Sequence, residues 1–287
     1  MSVLGELRDE GGTLLFRAFT SSSAACQGAY YTHHHVYYEL SLIIGSGRYL
    51  AGGYSGKHYD VAPGDLFFYK NSEPHCITDI TSPTMDFLNI YISPLYFRHL
   101  TGGAFGDFGI EFLQKSFPSN RLADFLDEDE LATVRDAMHR ISAELREGKD
   151  SALLMAKNHL DYALITLARK SLPSEGLLPT RGRFERIFEV VAYINEHYRE
   201  PLPLSELAAA CNLEKTYFST LFKRVIGLSP CEYITVRRIE HAVKLLKTTD
   251  KSVLEIATEC GFNNTANFNK LFKNHTGTVP KAIRAAR

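Results

Sequence analysis

Two segments fifty residues apart, YFSTLFKRVIGLSP at 217–230 and NFNKLFKNHTGTVP at 267–280, follow one pattern. Each has an aromatic residue followed by Leu-Phe-Lys, then a glycine and, three residues later, a proline. Apolar residues at i, i+3 and i+4 share one face of a helix, and a glycine with a proline close behind it ends the helix. The pattern therefore predicts the same short amphipathic helix at two places in the chain.

The repeat extends toward the N-terminus of each segment. LAAACNL at 207–213 aligns with IATECGF at 256–262, and the second copy carries one extra residue before its amphipathic helix. Each copy thus has a helix of small residues, a turn at Asn212 or Gly261, and a second helix. Asparagine and glycine most readily accept the left-handed backbone that such a turn requires. The sequence therefore predicts two helix-turn-helix units.

The outward faces of the two second helices carry hydroxyls, amides and lysines and no acid. Asparagine can pair with an adenine edge, threonine and serine can reach bases, and lysine can neutralise phosphate. For one copy alone, an ordinary solvated helix face is the favoured interpretation. Two copies in a basic region, joined by a long predicted helix (EYITVRRIEHAVKLLKTTD), favour duplex DNA.

Acidic and basic residues are distributed unevenly along the chain, although its formal net charge is only −1. Residues 1–180 hold 15 Lys and Arg against 22 Asp and Glu, whereas residues 181–287 hold 17 against 11. At 287 residues and 45% hydrophobic, the chain is long enough for two cores. We expect an acidic N-terminal domain and a basic C-terminal domain with an anionic partner.

The N-terminal part alternates with period two in short segments separated by turns, which predicts an antiparallel sandwich or barrel. These segments are TLLFRAFT, YYELSLII, GKHYDV, DLFFYK and TMDFLNIYI. From Asp127 the period becomes helical, and two helices each carry a heptad-like apolar seam. The seams either cover the sheet domain or form a self-association surface. Their residues are Leu131, Val134, Met138, Ile141 and Leu145, then Leu153, Ala156, Leu160, Ala163 and Leu167.

The fold class predicted is α+β in two domains. Residues 1–170 form the first, with strands at about 10–95 and helices at about 127–170; residues 171–182, rich in proline and glycine, form a linker; residues 183–287 form the second. We expect neither a membrane span nor a signal peptide. The five cysteines share no metal-like spacing and indicate reduced thiols in a cytoplasmic protein.

Several positions in the last hundred residues resemble the signature of the AraC/XylS family of bacterial transcription regulators. They are Arg238-Ile239, Ala242, Leu245-Leu246, IATECGF, FNKLFKNHTG, Pro280 and Arg284. The resemblance implies two helix-turn-helix units held by a rigid linker helix, with both recognition helices in successive major grooves on one face of DNA.

The resemblance also implies which side chains contact DNA. Base-contacting positions fall on Thr216, Ser219, Thr220, Thr265, Asn267 and Lys270, and phosphate contacts on Lys215, Lys223 and Lys273. The chain departs from the family at Glu214, where a capping serine is usual, at Ala266, at Thr220 and at Ile283. These departures bear on the operator sequence and leave the fold unaffected.

The N-terminal part resembles the cupin sensor module that precedes many such DNA-binding domains. The resemblance rests on HHHVYYELSLIIGSGRYL, VAPGDLFFYK and SEPHCI, and it implies an effector pocket lined by His33, His35, Glu39 and His75. Alternation places His33, His35, Glu39 and Ser41 on one strand face. The same four residues are the ligand set of metal-binding cupin enzymes, so a metal site is the alternative; a solvated strand end at 32–35 is another.

These observations predict a ligand-responsive, sequence-specific DNA-binding regulator, an activator of a sugar or small-metabolite operon, with no catalytic residues and no cofactor. Its expected partners are double-stranded DNA, a small-molecule effector, RNA polymerase and a second copy of the chain. The alternative is a metal-sensing regulator, or a cupin metalloenzyme fused to a DNA-binding domain. Phe67, Phe68, Tyr69, Phe87 and Tyr91 would stack on a sugar, although core packing explains these aromatics equally well. An architectural DNA binder would not need the enclosed sheet domain.

Overall fold

The computed structural model describes residues 2–9, 14–22, 35–45, 47–50, 58–71, 73, 75, 86–99, 117, 119–169 and 185–285. Its main division into two compact units falls between Arg183 and Phe184. The predicted linker at 171–182 lies outside the described residues. Among the helices within these ranges, none combines the length and apolar character needed to cross a bilayer.

In the part of the first unit that the structure describes, the strands form two antiparallel sheets, as the alternating segments predict. One sheet has five strands in the order β1-β2-β7-β3-β6, and the other pairs β4 with β5. The strands are β1 (Ser2–Arg8), β2 (Leu14–Ser22), β3 (Tyr38–Ile43), β4 (Gly47–Leu50), β5 (His58–Val61), β6 (Leu66–Tyr69) and β7 (Asp86–Ile92). Four of the five predicted segments contain one of these strands, the segment TLLFRAFT overlaps most of β2, and the α+β class is confirmed.

Strand register gives the five-stranded sheet one apolar and one mixed face. Tyr38, Leu40 and Leu42 of β3 point to the apolar side, where Tyr38 packs edge-on against Phe97 with ring centroids 5.3 Å apart. Successive strand residues alternate between faces, so Glu39 and Ser41 lie on the opposite side. There the hairpin β4–β5 contributes Tyr59 and Val61 to a core cluster, which also contains Ile43, Phe67, Tyr69 and Phe87.

Among the residues described in the first unit, three α-helices accompany the sheets: α1 (Tyr96–His99), α2 (Glu128–Glu147) and α3 (Ala152–Arg169). A capping box between Asp127 and Glu130 begins α2, and Gly148 ends it in the left-handed conformation. The chain then turns back, so that α2 and α3 form the predicted helical hairpin and contact β1. A side chain at Gly5 of β1 would begin 2.8 Å from Leu145 of α2, which shows how close strand and helix lie.

The structure adds two strands and moves one boundary. β1 was not predicted, because this edge strand is mostly half-exposed and carries Gly5, so its alternation is weak. β4 has four residues, too few to show a period. The alternation predicted from His33 through Ser41 is in part wrong: β3 begins at Tyr38, His35 lies outside the strand, and His33 lies outside the described residues.

The second unit is helical throughout its described residues. Its elements are α4 (Glu185–His197), α5 (Leu204–Ala210), α6 (Lys215–Ile226), α7 (Pro230–Thr248), α8 (Val253–Glu259), α9 (Thr265–Thr276) and α10 (Pro280–Ala285). The pairs α5–α6 and α8–α9 are the two predicted helix-turn-helix units. Capping boxes at Ser229 and Ser252 begin α7 and α8, and Pro230 occupies the first turn of α7, where it costs no hydrogen bond.

The connecting helix α7 packs against both helix-turn-helix units. Near its start Tyr233 packs against Phe222 of α6 at 5.9 Å and donates a hydrogen bond to Asn195 of α4 at 3.0 Å. Near its end Leu246 packs with Phe268 and Phe272 in the core of the second helix-turn-helix. Its 19 residues correspond to a rod of about 28 Å. This helix therefore sets the separation of α6 and α9.

Candidate DNA interface and ligand site

The second helices of the two units, α6 and α9, are built alike at both ends. The turn before α6 places Asn212 at φ 54°, and the turn before α9 places Gly261 at φ 84°. The helices end at Gly227 and Gly277, with φ of 83° and 70°. These are the left-handed positions that the sequence pattern predicts for turn and terminus.

Apolar side chains hold both helices against the second unit's core. Phe218 and Phe222 of α6, and Phe268 and Phe272 of α9, are each 0% exposed. The predicted base-contacting side chains all lie outside this core and are exposed or half-exposed: Thr216, Ser219, Thr220, Thr265, Asn267 and Lys270. Lys215, Lys223 and Lys273, the predicted phosphate contacts, are exposed as well.

The repeat spacing indicates one further candidate position for DNA contact, which the sequence analysis did not include. An offset of fifty residues pairs Phe218 with Phe268, and therefore pairs Tyr217 with Asn267 and Thr216 with Ala266. Tyr217 is 57% exposed on α6. A consistent offset applied to both copies could have found Tyr217, because its equivalent Asn267 was already assigned to DNA.

Glu214 begins α6 as its capping residue. Its carboxylate accepts hydrogen bonds from the backbone amides of Thr216 and Tyr217 at 2.8 and 3.2 Å. These bonds, the one from Tyr217 first, hold the pKa of Glu214 below its usual value. Glutamate in place of the usual capping serine thus still caps α6. The equivalent cap of α9 is Asn264, whose side chain accepts a 3.0 Å hydrogen bond from the backbone amide of Asn267. Glu214 also places a negative charge at the N-terminus of α6.

A buried polar network lies on the mixed face of the first unit's sheet. Glu39, Ser41, Asn89 and His75 are each less than 9% exposed. The Ser41 hydroxyl lies 2.8 Å from Glu39 Oε1 and 2.9 Å from Asn89 Oδ1. Asn89 Nδ2 donates in turn to Ser21 Oγ at 3.3 Å. Three adjacent strands, β2, β7 and β3, therefore present hydrogen-bonding groups in one line.

His75 completes the network through Glu39. Its Nε2 lies 3.0 Å from Glu39 Oε2, its Nδ1 lies 2.9 Å from the Glu73 carbonyl oxygen, and its ring stacks on Tyr69. Burial lowers the pKa of His75, but the charge of Glu39 and the hydrogen bonds to Glu39 and Glu73 outweigh it and raise that pKa above its usual value. The negative charge of Glu39 therefore favours the protonated form of the His75 imidazole.

The structure brings together three of the four predicted pocket residues. Ligand atoms of His35, Glu39 and His75 all lie within 4.8 Å of one another, and all three side chains are buried. Two imidazoles and one carboxylate at that separation fit the donor set of a divalent transition metal. The fourth residue, His33, falls outside the described part of the chain.

The aromatic side chains predicted to stack on a sugar divide into two groups. Phe67, Phe68, Tyr69 and Phe87 are at most 2% exposed and belong to the core. Tyr91 is half-buried and stacks on Tyr37, with ring centroids 5.7 Å apart and an angle of 9° between the rings. Core packing thus accounts for four of the five, and only Tyr91 has an accessible ring.

Comparison with known proteins was consistent across both units. A helix-turn-helix domain model matches residues 207–286, and an AraC-like ligand-binding domain model matches residues 24–160. Similar curated proteins include the HTH-type transcriptional activator RhaS of Escherichia fergusonii, 27% identical over 91% of this chain and 90% of that protein. RhaS of Klebsiella pneumoniae is 25% identical over the same shares.

Solved structures show the same arrangement of elements. ToxT from Vibrio cholerae matches with a TM-score of 0.60 over 94% of this chain and 98% of that one, at 15% sequence identity. At that identity the likeness concerns the fold alone. With a ligand-binding domain match before a helix-turn-helix match, and relatives that align along nearly their whole length, the chain belongs to the AraC family of DNA-binding transcription regulators.

Proposed function

We propose that this protein activates transcription in response to a small molecule bound in its first unit. The observation that carries the proposal is the pair of helices α6 and α9, whose outward faces hold hydroxyls, amides and lysines. From residue 215 onward the sequence has 13 Lys and Arg against 5 Asp and Glu, so this region attracts phosphate. Similar proteins are named transcriptional activators, which supports the direction of regulation.

For the DNA interface, we infer that Thr216, Tyr217 and Thr220 read one half-site through α6. Asn267 and Lys270 read the other through α9. Both sets are exposed and lie outside the helix faces that carry the buried phenylalanines, so they are available to a major groove. The rod-like helix α7 sets the separation of α6 and α9, so we expect the two half-sites to lie about one turn of DNA apart.

The DNA proposal is tested by selecting duplexes from a random library with the full-length protein. We expect enrichment of two short half-sites about one helical turn apart, and an affinity that falls steeply with salt. Tyr217→Ala is expected to relax base preference in one half-site only, and Lys270→Ala in the other. Enrichment of a single half-site, or binding that ignores salt, would contradict the proposal.

The ligand site proposed lies at the buried network around Glu39, Ser41, Asn89 and His75. Carboxylate, amide, hydroxyl and imidazole groups converge there, and the ring of Tyr91 is accessible nearby. This chemistry fits a polyhydroxylated compound such as a sugar, which needs many hydrogen bonds and one flat apolar surface. Such a ligand would replace bonds that the network now makes internally.

A metal ion is the second candidate, favoured by the clustering of His35, Glu39 and His75. With Nδ1 of His75 donating to the Glu73 carbonyl, Nε2 of the neutral imidazole would be the nitrogen available for coordination. Elemental analysis of protein prepared without a histidine tag separates the candidates. One equivalent of metal, lost in His35→Ala, would favour the metal.

The effector candidate is tested by a thermal-shift screen of the full-length protein with monosaccharides and divalent cations. We expect a sugar to raise the unfolding temperature, and His35→Ala to remove that shift while leaving binding to the selected duplex unchanged. His139→Ala, which alters an exposed histidine on α2, is the matched control. Loss of DNA binding in a folded His35→Ala protein would contradict both candidates.

A second copy of the chain is also proposed as a partner. The seam predicted at Leu160 and Leu167 cannot form the interface, because both side chains are 0% exposed within one chain. A different face of α3 is apolar and open: Leu154 is 60%, Met155 38% and Tyr162 57% exposed. These residues recur at intervals of seven and eight, as on one side of a helix. We place the interface between copies on this face.

A further inference from the structure

A half-open pocket of about 340 Å³ lies between α4 and α5, and all of its lining residues belong to the second unit. Pockets that hold small molecules have volumes from about 300 Å³ upward. The apolar part of the lining comes from Val190 and Leu207, which are buried, and from Leu202, which is half-exposed. The pocket therefore offers apolar surface of the right extent for a small organic molecule.

Two carboxylates line the same pocket, one from each helix. Glu189 on α4 and Glu206 on α5 are both exposed. Within the described part of the chain neither makes a hydrogen bond or an ion pair, and the pocket lining contains no basic residue. Arg186, one turn before Glu189, donates instead to the carbonyl oxygen of Cys211 at 3.2 Å. Two negative charges are therefore left uncompensated beside apolar surface.

An aromatic ring also borders the pocket. Tyr193 lies four residues after Glu189, so the two side chains share one face of α4. The tyrosine is 47% exposed, and its ring stacks on that of His197 with centroids 4.3 Å apart, which restricts the orientations of the ring. Aromatic faces attract cations and pack against flat apolar groups. Together with a carboxylate, such a ring recognises an organic ammonium ion.

The charge around the pocket selects among ligands. Residues 185–214 contain 6 Asp and Glu against 2 Lys and Arg, so this segment repels phosphate and carboxylate groups and concentrates cations. A hydrated metal ion would gain from the two carboxylates and nothing from the apolar lining. A neutral compound would gain from the apolar lining and nothing from the carboxylates. A cation with an apolar body gains from both.

We propose that this pocket binds a small organic cation, an amine or quaternary ammonium ion attached to a flat apolar group. The charged head lies against Glu189, Glu206 and the ring of Tyr193, and the apolar body covers Val190 and Leu207. The site shares no residue with the ligand site of the first unit or with the helices α6 and α9, so it does not depend on the function proposed for either. A bound ligand bridges α4 to α5, the first helix of the first helix-turn-helix, and stabilises that part of the unit by mass action.

The test uses the full-length protein without DNA and benzyltrimethylammonium as the probe, because its charge is permanent and its body is aromatic. The neutral compound N,N-dimethylbenzamide, similar in size, is the matched control ligand. Ligand-observed NMR titrations at low salt measure the dissociation constant of each. We expect saturable binding of the cation at about 1 mM or below, as suits a ligand of this size. Binding of the neutral compound should be at least about fivefold weaker, because it lacks the attraction to the carboxylates and the ring.

Variants locate the probe. Glu189→Gln/Glu206→Gln keeps the shape of the pocket and removes its charge, so affinity for the cation should fall at least about fivefold while affinity for the neutral compound stays the same. Tyr193→Leu keeps an apolar side chain and should weaken binding of the cation about threefold. Glu196→Gln is the matched control, since it makes the same exchange on α4 outside the pocket lining, and it should leave both affinities unchanged. The unfolding temperature of the glutamine variants should equal that of the unaltered protein, because the exchanged side chains are exposed.

Several outcomes would overturn the proposal. One is the absence of saturable binding of the cation by the unaltered protein, which would also result if the segment 171–182 or a second copy covered the pocket. Equal affinity for the charged and the neutral compound, unchanged affinity in the double variant, or an equal loss in Glu196→Gln would each do the same. Binding that is lost in His35→Ala but kept in the double variant would place the probe in the first unit. Displacement of the probe by an equal concentration of Mg²⁺ would identify the pocket as a site for inorganic cations.

Discussion

The carbonyl oxygen of Arg199 lies where a side chain at Gly261 would begin, since a Cβ there would stand 2.4 Å from it. Arg238 of α7 holds the neighbouring backbone in place, donating from Nε to the Tyr198 carbonyl at 2.6 Å and from Nη2 to the Glu200 carbonyl at 2.8 Å. The arginine and the glycine therefore act on the same few backbone atoms. This relationship explains why the second helix-turn-helix has glycine in its turn, where the first helix-turn-helix has asparagine.

Gly261→Ala is expected to destabilise the second unit strongly. The substitution adds left-handed strain at φ 84° and overlap with a backbone atom that Arg238 keeps from moving, together about 2–4 kcal/mol. Asn212→Gly is the control in the equivalent turn and should change stability by less than about 1 kcal/mol. Urea unfolding followed by circular dichroism measures both. Similar urea midpoints for the two variants would contradict this expectation, because the backbone at Arg199 would then have moved to accommodate the added methyl group.

The sequence predicted the helices of both units because period and caps are local properties. The sequence could not tell whether an apolar seam is buried within one chain or between two copies, because both give the same pattern. Leu160 turns out to be buried within one chain. Nor could it assign the cap at Glu214, because glutamate caps less often than serine. Glu39 and His75, distant in the chain, were paired only through the family resemblance; the position of His75 beside β3 was not available from periodicity.

Lys273→Ala is expected to weaken DNA binding about equally for all sequences, through loss of one phosphate contact. The slope of log affinity against log salt should fall by about one unit. Lys270→Ala, a neighbouring lysine on the same helix, should instead change which bases are preferred. Fluorescence anisotropy with selected and scrambled duplexes at several salt concentrations measures these effects. A sequence-dependent loss in Lys273→Ala would place that side chain at a base.

Alkylation should distinguish the three cysteines that the structure describes. Burial raises the pKa of Cys211 to about 11 and that of Cys260 to about 12, so both remain protonated thiols at pH 8. Cys231 is exposed. In a protein with Cys26 and Cys76 replaced by serine, iodoacetamide followed by mass spectrometry should find Cys231 labelled first and the other two only on unfolding. Rapid labelling of Cys260 in the folded protein would mean that its unit opens readily.

Self-association is expected to depend on the open face of α3. Leu154→Glu/Tyr162→Glu should shift sedimentation from dimer to monomer at tens of micromolar without lowering the unfolding temperature, because neither side chain is buried within one chain. Leu160→Glu is the contrasting change: it puts an unpaired charge into the core and should unfold the first unit. A dimer that survives the double substitution would exclude this face.

Glu214→Gln is expected to strengthen DNA binding. The carboxylate lies at the N-terminus of α6, where a phosphate would otherwise be attracted by the free amides of the helix, and its charge repels that phosphate. Glutamine keeps an oxygen that can accept from Thr216 and Tyr217 but removes the charge, so the dissociation constant should fall about two- to fivefold for every sequence, most clearly at low salt. Asn264→Ser, a neutral exchange at the equivalent cap of α9, should leave affinity unchanged. Anisotropy titrations at low and high salt measure both variants. An affinity for Glu214→Gln equal to that of the unaltered protein would show that the end of α6 does not approach the DNA backbone.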